Sequence, residues 1–252
     1  MLEIRNSFLF FSPLLLLFSC FGCAHRPPPP LNGELFLERS HQQFLDSRSP
    51  FQANGRLRVT APDLYQTLDL SLCWESTRRF RVDIIGPLGM RLASAALTDS
   101  LAWLWAPLAG VELRGRADRL DSLSLERLGL AIQDMMDFIQ GWPMPPQDRP
   151  TKAWPKKGSI VYNFSRSDTI ITLEIDRNHG MPQSIRVRHG GNTLWEASFD
   201  EQQSFGPGFR PRRLFFRAPA LEISLELELN LSRRPRPFPA ETWSPPEKPS
   251  SE

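Results

Sequence analysis

Leu221-Glu-Ile-Ser-Leu-Glu-Leu-Glu-Leu-Asn-Leu231 decides the fold class. Leu or Ile stands at every odd position and Glu, Ser or Asn at every even one, a period of two that gives an extended strand one apolar and one polar face. On a helix the same leucines would be scattered round the whole circumference. The alternation recurs upstream. Leu57 and Val59 alternate with Arg56 and Arg58; Leu68, Leu70, Leu72 and Trp74 with Thr67, Asp69, Ser71 and Cys73; Phe80, Val82 and Ile84 with Arg79, Arg81 and Asp83. Further strands are predicted at 90–98, 101–106, 111–115, 159–165, 169–176, 183–189, 193–199 and 210–217, with hairpin turns at Asp176-Arg-Asn-His-Gly180 and Gly190-Gly191-Asn192. About a dozen antiparallel strands, each with one apolar face, must curl until those faces meet, so the sheet closes or nearly closes into a barrel. A barrel that wide holds a ligand unless something fills it.

Two segments have helical spacing instead. Leu35 to Ser47 places Leu37, His41, Phe44 and Leu45 on one face, and Leu120 to Gln140 carries Ile132, Met135, Met136 and Ile139 before the stop at Gly141 and Pro143. They are the available fillers or lids. Trp142 to Pro155 is expected to be a long Pro-rich connection, and His41 a packing residue rather than a ligand.

The chain has 252 residues, of which 24 are proline, and their placement divides it. Pro27 to Pro30 and the group from Pro235 to Pro249 flank a body of Glu34 to Leu231, a size suited to one domain. The expected organisation is a signal peptide at 1–19, a lipidated cysteine and stiff tether at 20–33, the barrel domain at 34–231 and a disordered Pro-rich tail at 232–252. The apolar run from Phe8 to Ser19 is too short to span a bilayer and reads as a secretory signal. It ends in Leu17-Phe-Ser-Cys20-Phe-Gly-Cys23-Ala24, which resembles a bacterial lipobox. Leu17 and Ser19 favour Cys20 as the acylated residue, with Cys23 the alternative register. Under the sorting rule of that resemblance, the absence of Asp after either cysteine points to the outer membrane.

A net charge of +2 with both signs interspersed argues against a nucleic-acid binder. The 4 histidines have no metal-ligand spacing, and no phosphate loop, nucleophile elbow or metalloprotease motif occurs. No catalytic residue, metal or cofactor is therefore assigned. Cys73 stands alone on a strand, and Asp69, Asp83, Glu226 and Glu228 fall on polar strand faces where solvated carboxylates are expected.

Gly86-Pro87-Leu88-Gly89 lies between two strands and puts a leucine at a turn tip, either folded back on its neighbours or presented outward. Together with Phe51-Gln-Ala-Asn-Gly55-Arg-Leu-Arg-Val59, the strand ending in Trp74, Phe80-Arg-Val-Asp-Ile-Ile85 and Phe138-Ile-Gln-Gly141-Trp-Pro143, it resembles the LolB family of outer-membrane lipoprotein-localisation factors. The resemblance runs from Phe51 to about Leu231 and is specific in its first half. It implies a mainly β fold: an incomplete, half-open antiparallel β-barrel of about eleven or twelve strands, with helices lidding an apolar cavity. It also implies a monomeric, lipid-anchored protein of the outer membrane, facing the periplasm. Such a protein receives lipoproteins from a LolA-like periplasmic carrier by their acyl chains and inserts them into the inner leaflet of the outer membrane, with outer-membrane lipids as its other partner. The insertion loop would be Pro87, Leu88 and Gly89. The acyl cavity would be lined by Leu70, Leu72, Trp74, Val82, Ile84, Trp103, Trp105, Met135, Ile139, Leu225 and Leu227. A generic acyl-binding or structural envelope lipoprotein is the alternative, and an enzyme a third reading.

Overall fold

Residues 33–76, 78–116, 138–143, 149–234 and 236–245 are described in a computed structural model of the protein. The alternating segments form thirteen antiparallel strands: β1 (Phe51–Ala61), β2 (Leu64–Ser76), β3 (Arg79–Ile85), β4 (Arg91–Leu97), β5 (Leu101–Ala106), β6 (Val111–Arg116), β7 (Lys152–Lys156), β8 (Ser159–Arg166), β9 (Thr169–Asp176), β10 (Pro182–His189), β11 (Asn192–Phe205), β12 (Gly208–Ala218) and β13 (Ile223–Arg233). They make one sheet in the order β6-β5-β4-β3-β2-β1-β13-β12-β11-β10-β9-β8-β7. The two sequence-distant strands β1 and β13 pair at its middle, with Leu57 opposite Leu227 and Val59 opposite Leu225. The edges β6 and β7 do not pair, so the sheet is an unclosed, half-open barrel, the mainly β architecture expected.

The one strand absent from the sequence-based expectation is β7, in the segment taken as a connection. Pro155 lies within it and has no N–H to donate, which an edge strand tolerates because β7 pairs only with β8 and leaves its other side unpaired. Strand β13 begins later than the leucine run suggests. Pro219–Leu221 form a short 3-10 turn, Glu222 takes a left-handed conformation, and pairing starts at Ile223.

The sheet has an inner face that carries the core and an outer face that carries ion pairs. Inner rows can be read straight across the register: Leu68, Leu57, Leu227, Leu214 and Phe199 stand side by side on five neighbouring strands. On the outer face Glu226 pairs with Arg58 and, at 2.7 Å, with Arg213. Burial opposes ionisation of Glu226, but these two arginines outweigh it and hold its carboxyl below the ordinary value.

Helix α1 (Gly33–Asp46) packs Leu37 and Phe44 onto the inner face, as the Leu35 to Ser47 pattern predicts. Phe44 stacks on Trp142 at 5.4 Å, and the Arg210 guanidinium lies 4.6 Å from the Phe44 ring centre. Tyr162 donates a hydrogen bond to the Gly33 carbonyl at 2.9 Å, tying the helix start to β8. His41 sits 5.0 Å from Trp142, the packing role expected, and burial followed by the Arg48 charge lowers its pKa. The predicted helix over 120–140 lies outside the described residues except for its last three, where Phe138 makes edge contacts with Trp195, Phe199 and Phe216.

Residues 236–245, expected in a disordered tail, pack on the outer face instead. Phe238 and Trp243 are buried, with ring centres 5.5 Å apart. Trp103 donates from its indole N–H to the Trp243 carbonyl at 3.0 Å, and Arg81 donates to the Thr242 carbonyl at 2.8 Å. Two aromatic anchors give this short Pro-rich stretch the apolar area that composition alone does not suggest. Trp243→Ala should lower stability by about 3 kcal/mol, a fall in melting temperature of roughly 6–12 °C for a domain of this size. Thermal unfolding checks this; an unchanged melting temperature would mean that the segment contributes no packing.

Candidate functional site

Turn residues shape the β3–β4 hairpin. Gly86 is buried against Leu92, where a Cβ would come within 2.7 Å of a methyl group, so any larger residue at the entry would have to displace that side chain. Pro87 starts a 3-10 turn, closed by the Met90 N–H donating to the Pro87 carbonyl at 3.4 Å. At the base the Gly86 N–H donates to the Met90 carbonyl at 2.7 Å. Leu88 sits at the tip with φ 61° and ψ 18° and is 98% exposed. Left-handed backbone disfavours a leucine by about 1–2 kcal/mol, and full exposure forgoes the burial that would offset it. Of the two readings of this leucine, outward presentation is the one found.

Beside the hairpin, the inner face changes character along the strands. At the end covered by α1 it is filled: Trp74 stacks on Phe51 at 5.4 Å, Phe51 meets the edge of Phe205 at 5.8 Å, and Leu70 and Leu72 are buried with them. Toward the hairpin end it is only half-buried. Leu57, Val59, Leu68, Val82, Ile84, Ala93, Ala95, Leu225 and Leu227 form an apolar trough there. None of these positions carries an ionisable group, so among the described residues the trough wall suits a hydrocarbon and offers no acid, base or nucleophile.

The expected cavity residues therefore fall into five groups. Val82, Ile84, Leu225 and Leu227 line the trough. Leu70, Leu72 and Trp74 share its face but belong to the packed end, and Ile139 packs at the edge of the core. Met135, like Cys20 and Cys23, lies outside the described residues. Trp103 and Trp105 are corrected: they lie on the outer face. Trp103 pairs with Ala96, which pairs with Arg81 of the outer row, and the Arg81 guanidinium sits 5.3 Å from the Trp103 ring centre. The inner positions of β5 are Ala102, Leu104 and Ala106. All six residues of β5 are apolar, so alternation could not tell its faces apart. On that outer side Trp103 is covered by the Trp243 segment, to whose carbonyl its indole N–H donates at 3.0 Å.

Polar features lie elsewhere. A cavity of about 630 Å³ at the opposite end of the sheet is lined by Ser49, Pro50, Arg233, Arg234, Arg236 and Pro237, a basic surface unsuited to an acyl tail. Among the described residues no three His, Cys, Asp or Glu side chains are grouped to hold a metal.

The sequence matches no family model and no curated protein. Solved structures do resemble the chain. A LolA superfamily protein from Nitrosomonas europaea superposes with a TM-score of 0.57 at 14% identity, covering 84% of this chain and 97% of that one. The chain has a LolA-like fold. A domain from Vibrio parahaemolyticus, provisionally assigned to outer-membrane lipoprotein sorting, gives a TM-score of 0.59 at 13% identity over 84% of this chain and 97% of that one. A DUF1329 family protein from Desulfovibrio piger gives 0.59 at 9% identity, over 84% and 98%. At these identities the likeness is one of fold.

Proposed function

We propose that this protein is a LolB-type receptor and insertase. Anchored in the outer membrane through an acylated Cys20, with Cys23 as the alternative, it faces the periplasm and works as a monomer. It takes the acyl chains of incoming lipoproteins from a LolA-like carrier and delivers them to the inner leaflet. The observation that carries this reading is a fully exposed leucine, held on a braced hairpin tip beside an apolar trough free of ionisable groups.

A sixteen-carbon acyl chain left in water costs on the order of 12 kcal/mol, at about 0.8 kcal/mol per methylene. A passenger lipoprotein therefore needs an apolar sheath throughout its transit. The half-buried trough supplies one that is weaker than a closed cavity, as a receptor handing its cargo to a bilayer requires. Without a nucleotide to drive it, transfer runs down an affinity gradient from carrier to trough to membrane. Leu88 entering the lipid places the end of the trough at the bilayer surface, so an acyl chain can leave without crossing water. No bond is made or broken in this scheme, and the protein is not an enzyme.

Native mass spectrometry of the purified chain tests the first step. The expected result is noncovalently held acyl lipid, or uptake of a triacylated lipopeptide with mass increments matching one ligand per chain. A protein that takes up neither would overturn the acyl-binding reading.

A further inference from the structure

Leu88 is not alone. The four most exposed large apolar side chains among the described residues are Leu88 at 98%, Leu108 at 83%, Tyr65 at 70% and Met90 at 56%. In an up-and-down antiparallel sheet alternate hairpins point the same way, and β1–β2, β3–β4 and β5–β6 are three such alternate hairpins. Tyr65 follows the first turn, Leu88 and Met90 belong to the second, and Leu108 tips the third. Consecutive tips are two strands apart, about 10 Å at the usual strand spacing.

The third tip repeats the construction of the second. Pro107-Leu108-Ala109-Gly110 opens with proline, makes a 3-10 turn and closes with the Gly110 N–H donating to the Pro107 carbonyl at 3.0 Å, as Met90 does to Pro87. The β12–β13 turn of the same end, Pro219-Ala220-Leu221, is built the same way, with the Glu222 N–H donating to the Pro219 carbonyl at 3.1 Å, but its leucine is half-buried against the core and not presented outward. At the opposite end, Asp99-Ser100 and Gly206-Pro207 have no large apolar residue, and on the same end the later hairpins turn at Ser167-Asp168 and Gly190-Gly191. Among the described residues the four most exposed apolar side chains thus fall in one sector of one end, the sector adjoining the half-buried trough; Ile170, past the β8–β9 turn, is less exposed at 44%.

We infer that the β1–β2 and β5–β6 hairpins are further membrane-contact tips, so that Tyr65, Leu88 and Leu108 form a three-point footing on a lipid surface. This rests on the membrane-inserting role proposed for Leu88. A bilayer is the occupant that fits. Single side chains on separated turns fall short of the roughly 800 Å² per partner that a stable protein interface uses, whereas each can enter lipid independently. One inserted leucine leaves the domain free to rotate about it. Three points fix a plane and hold the trough end against the membrane during transfer.

The full chain is reconstituted in vesicles of phosphatidylethanolamine and phosphatidylglycerol, with or without a doxyl-labelled phospholipid. Tyr65→Trp, Leu88→Trp and Leu108→Trp are compared with Ser100→Trp at the opposite end, and the emission each adds to the parent protein is measured. Quenching of the added signal by about half or more at 65, 88 and 108, with none at 100, is the expected result. Quenching at 88 but not at both 65 and 108 would overturn the three-point footing and leave single-tip insertion intact. No quenching at 88 would overturn the insertion reading itself. As a second arm, Leu108→Glu should slow passenger transfer to these vesicles about tenfold in a chain with Leu88 unchanged; a normal rate counts against the footing.

Discussion

Gly55→Val is expected to lose about 4 kcal/mol of stability or more, at the upper end of single substitutions. Gly55 sits in β1 on the inner face, opposite Leu229 of β13 and Leu70 of β2. A Cβ there would come within 2.0 Å of the Glu228 carbonyl oxygen and 3.0 Å of a Leu229 methyl group. The nearer atom is backbone in the strand pairing that joins the first and last parts of the chain, so it cannot be rotated aside. The neighbouring strand must move, and the β1–β13 ladder is lost locally with it. For a domain of about 200 residues this is a fall of roughly 8–16 °C in melting temperature. Gly115→Ala is the matched control: Gly115 lies in edge strand β6 with nothing within 4 Å of its would-be Cβ, and stability should change by no more than about 0.5 kcal/mol. Equal losses in the two variants would refute the close-approach explanation.

The second large effect should appear in transfer and not in folding. Leu88→Glu puts a carboxylate where an apolar side chain worth roughly 1.5–3 kcal/mol on insertion stood, so delivery to anionic vesicles should fall by tenfold to a hundredfold or more, at about 1.4 kcal/mol per factor of ten. Leu88→Gly separates strain from insertion. It relieves the left-handed strain, on the order of 1 kcal/mol, but frees the unfolded chain by a comparable 0.5–1 kcal/mol. Thermal stability should therefore hardly move while transfer drops nearly as far as in Leu88→Glu. The experiment follows a labelled lipoprotein from carrier to vesicle alongside a melting curve. A Leu88→Glu protein that delivers at the normal rate removes the insertase reading and leaves generic acyl binding. Loss of both stability and transfer in Leu88→Gly would make the leucine structural.

Comparing Leu88 with Trp103 shows where sequence was sufficient and where it was not. The Gly-Pro-Leu-Gly turn is local: its glycines and proline dictate a tight tip, and four consecutive residues contain most of what places the leucine there. Trp103 is in a strand whose residues are all apolar, so its orientation depends on what covers each face. That cover is Trp243, 140 residues away, and no periodicity within β5 encodes it. β7 was missed for a related reason. Pro155 opposes a sheet interior but not an edge, and edge position is a property of the finished sheet.

By itself the sequence determined the strands with a clean two-residue period, the mainly β class, the inner identity of Val82, Ile84, Leu225 and Leu227, the helix over Leu35 to Ser47 and the tight turn at Leu88. These follow from backbone sterics and side-chain alternation, which act between residues close in the chain. Only the tertiary structure decided that β1 closes on β13 over Gly55, that the inner face is packed at one end and half-buried at the other, and that the most exposed apolar side chains gather in one sector. Those are outcomes of strand order and register, and they depend on contacts between segments that the chain keeps far apart.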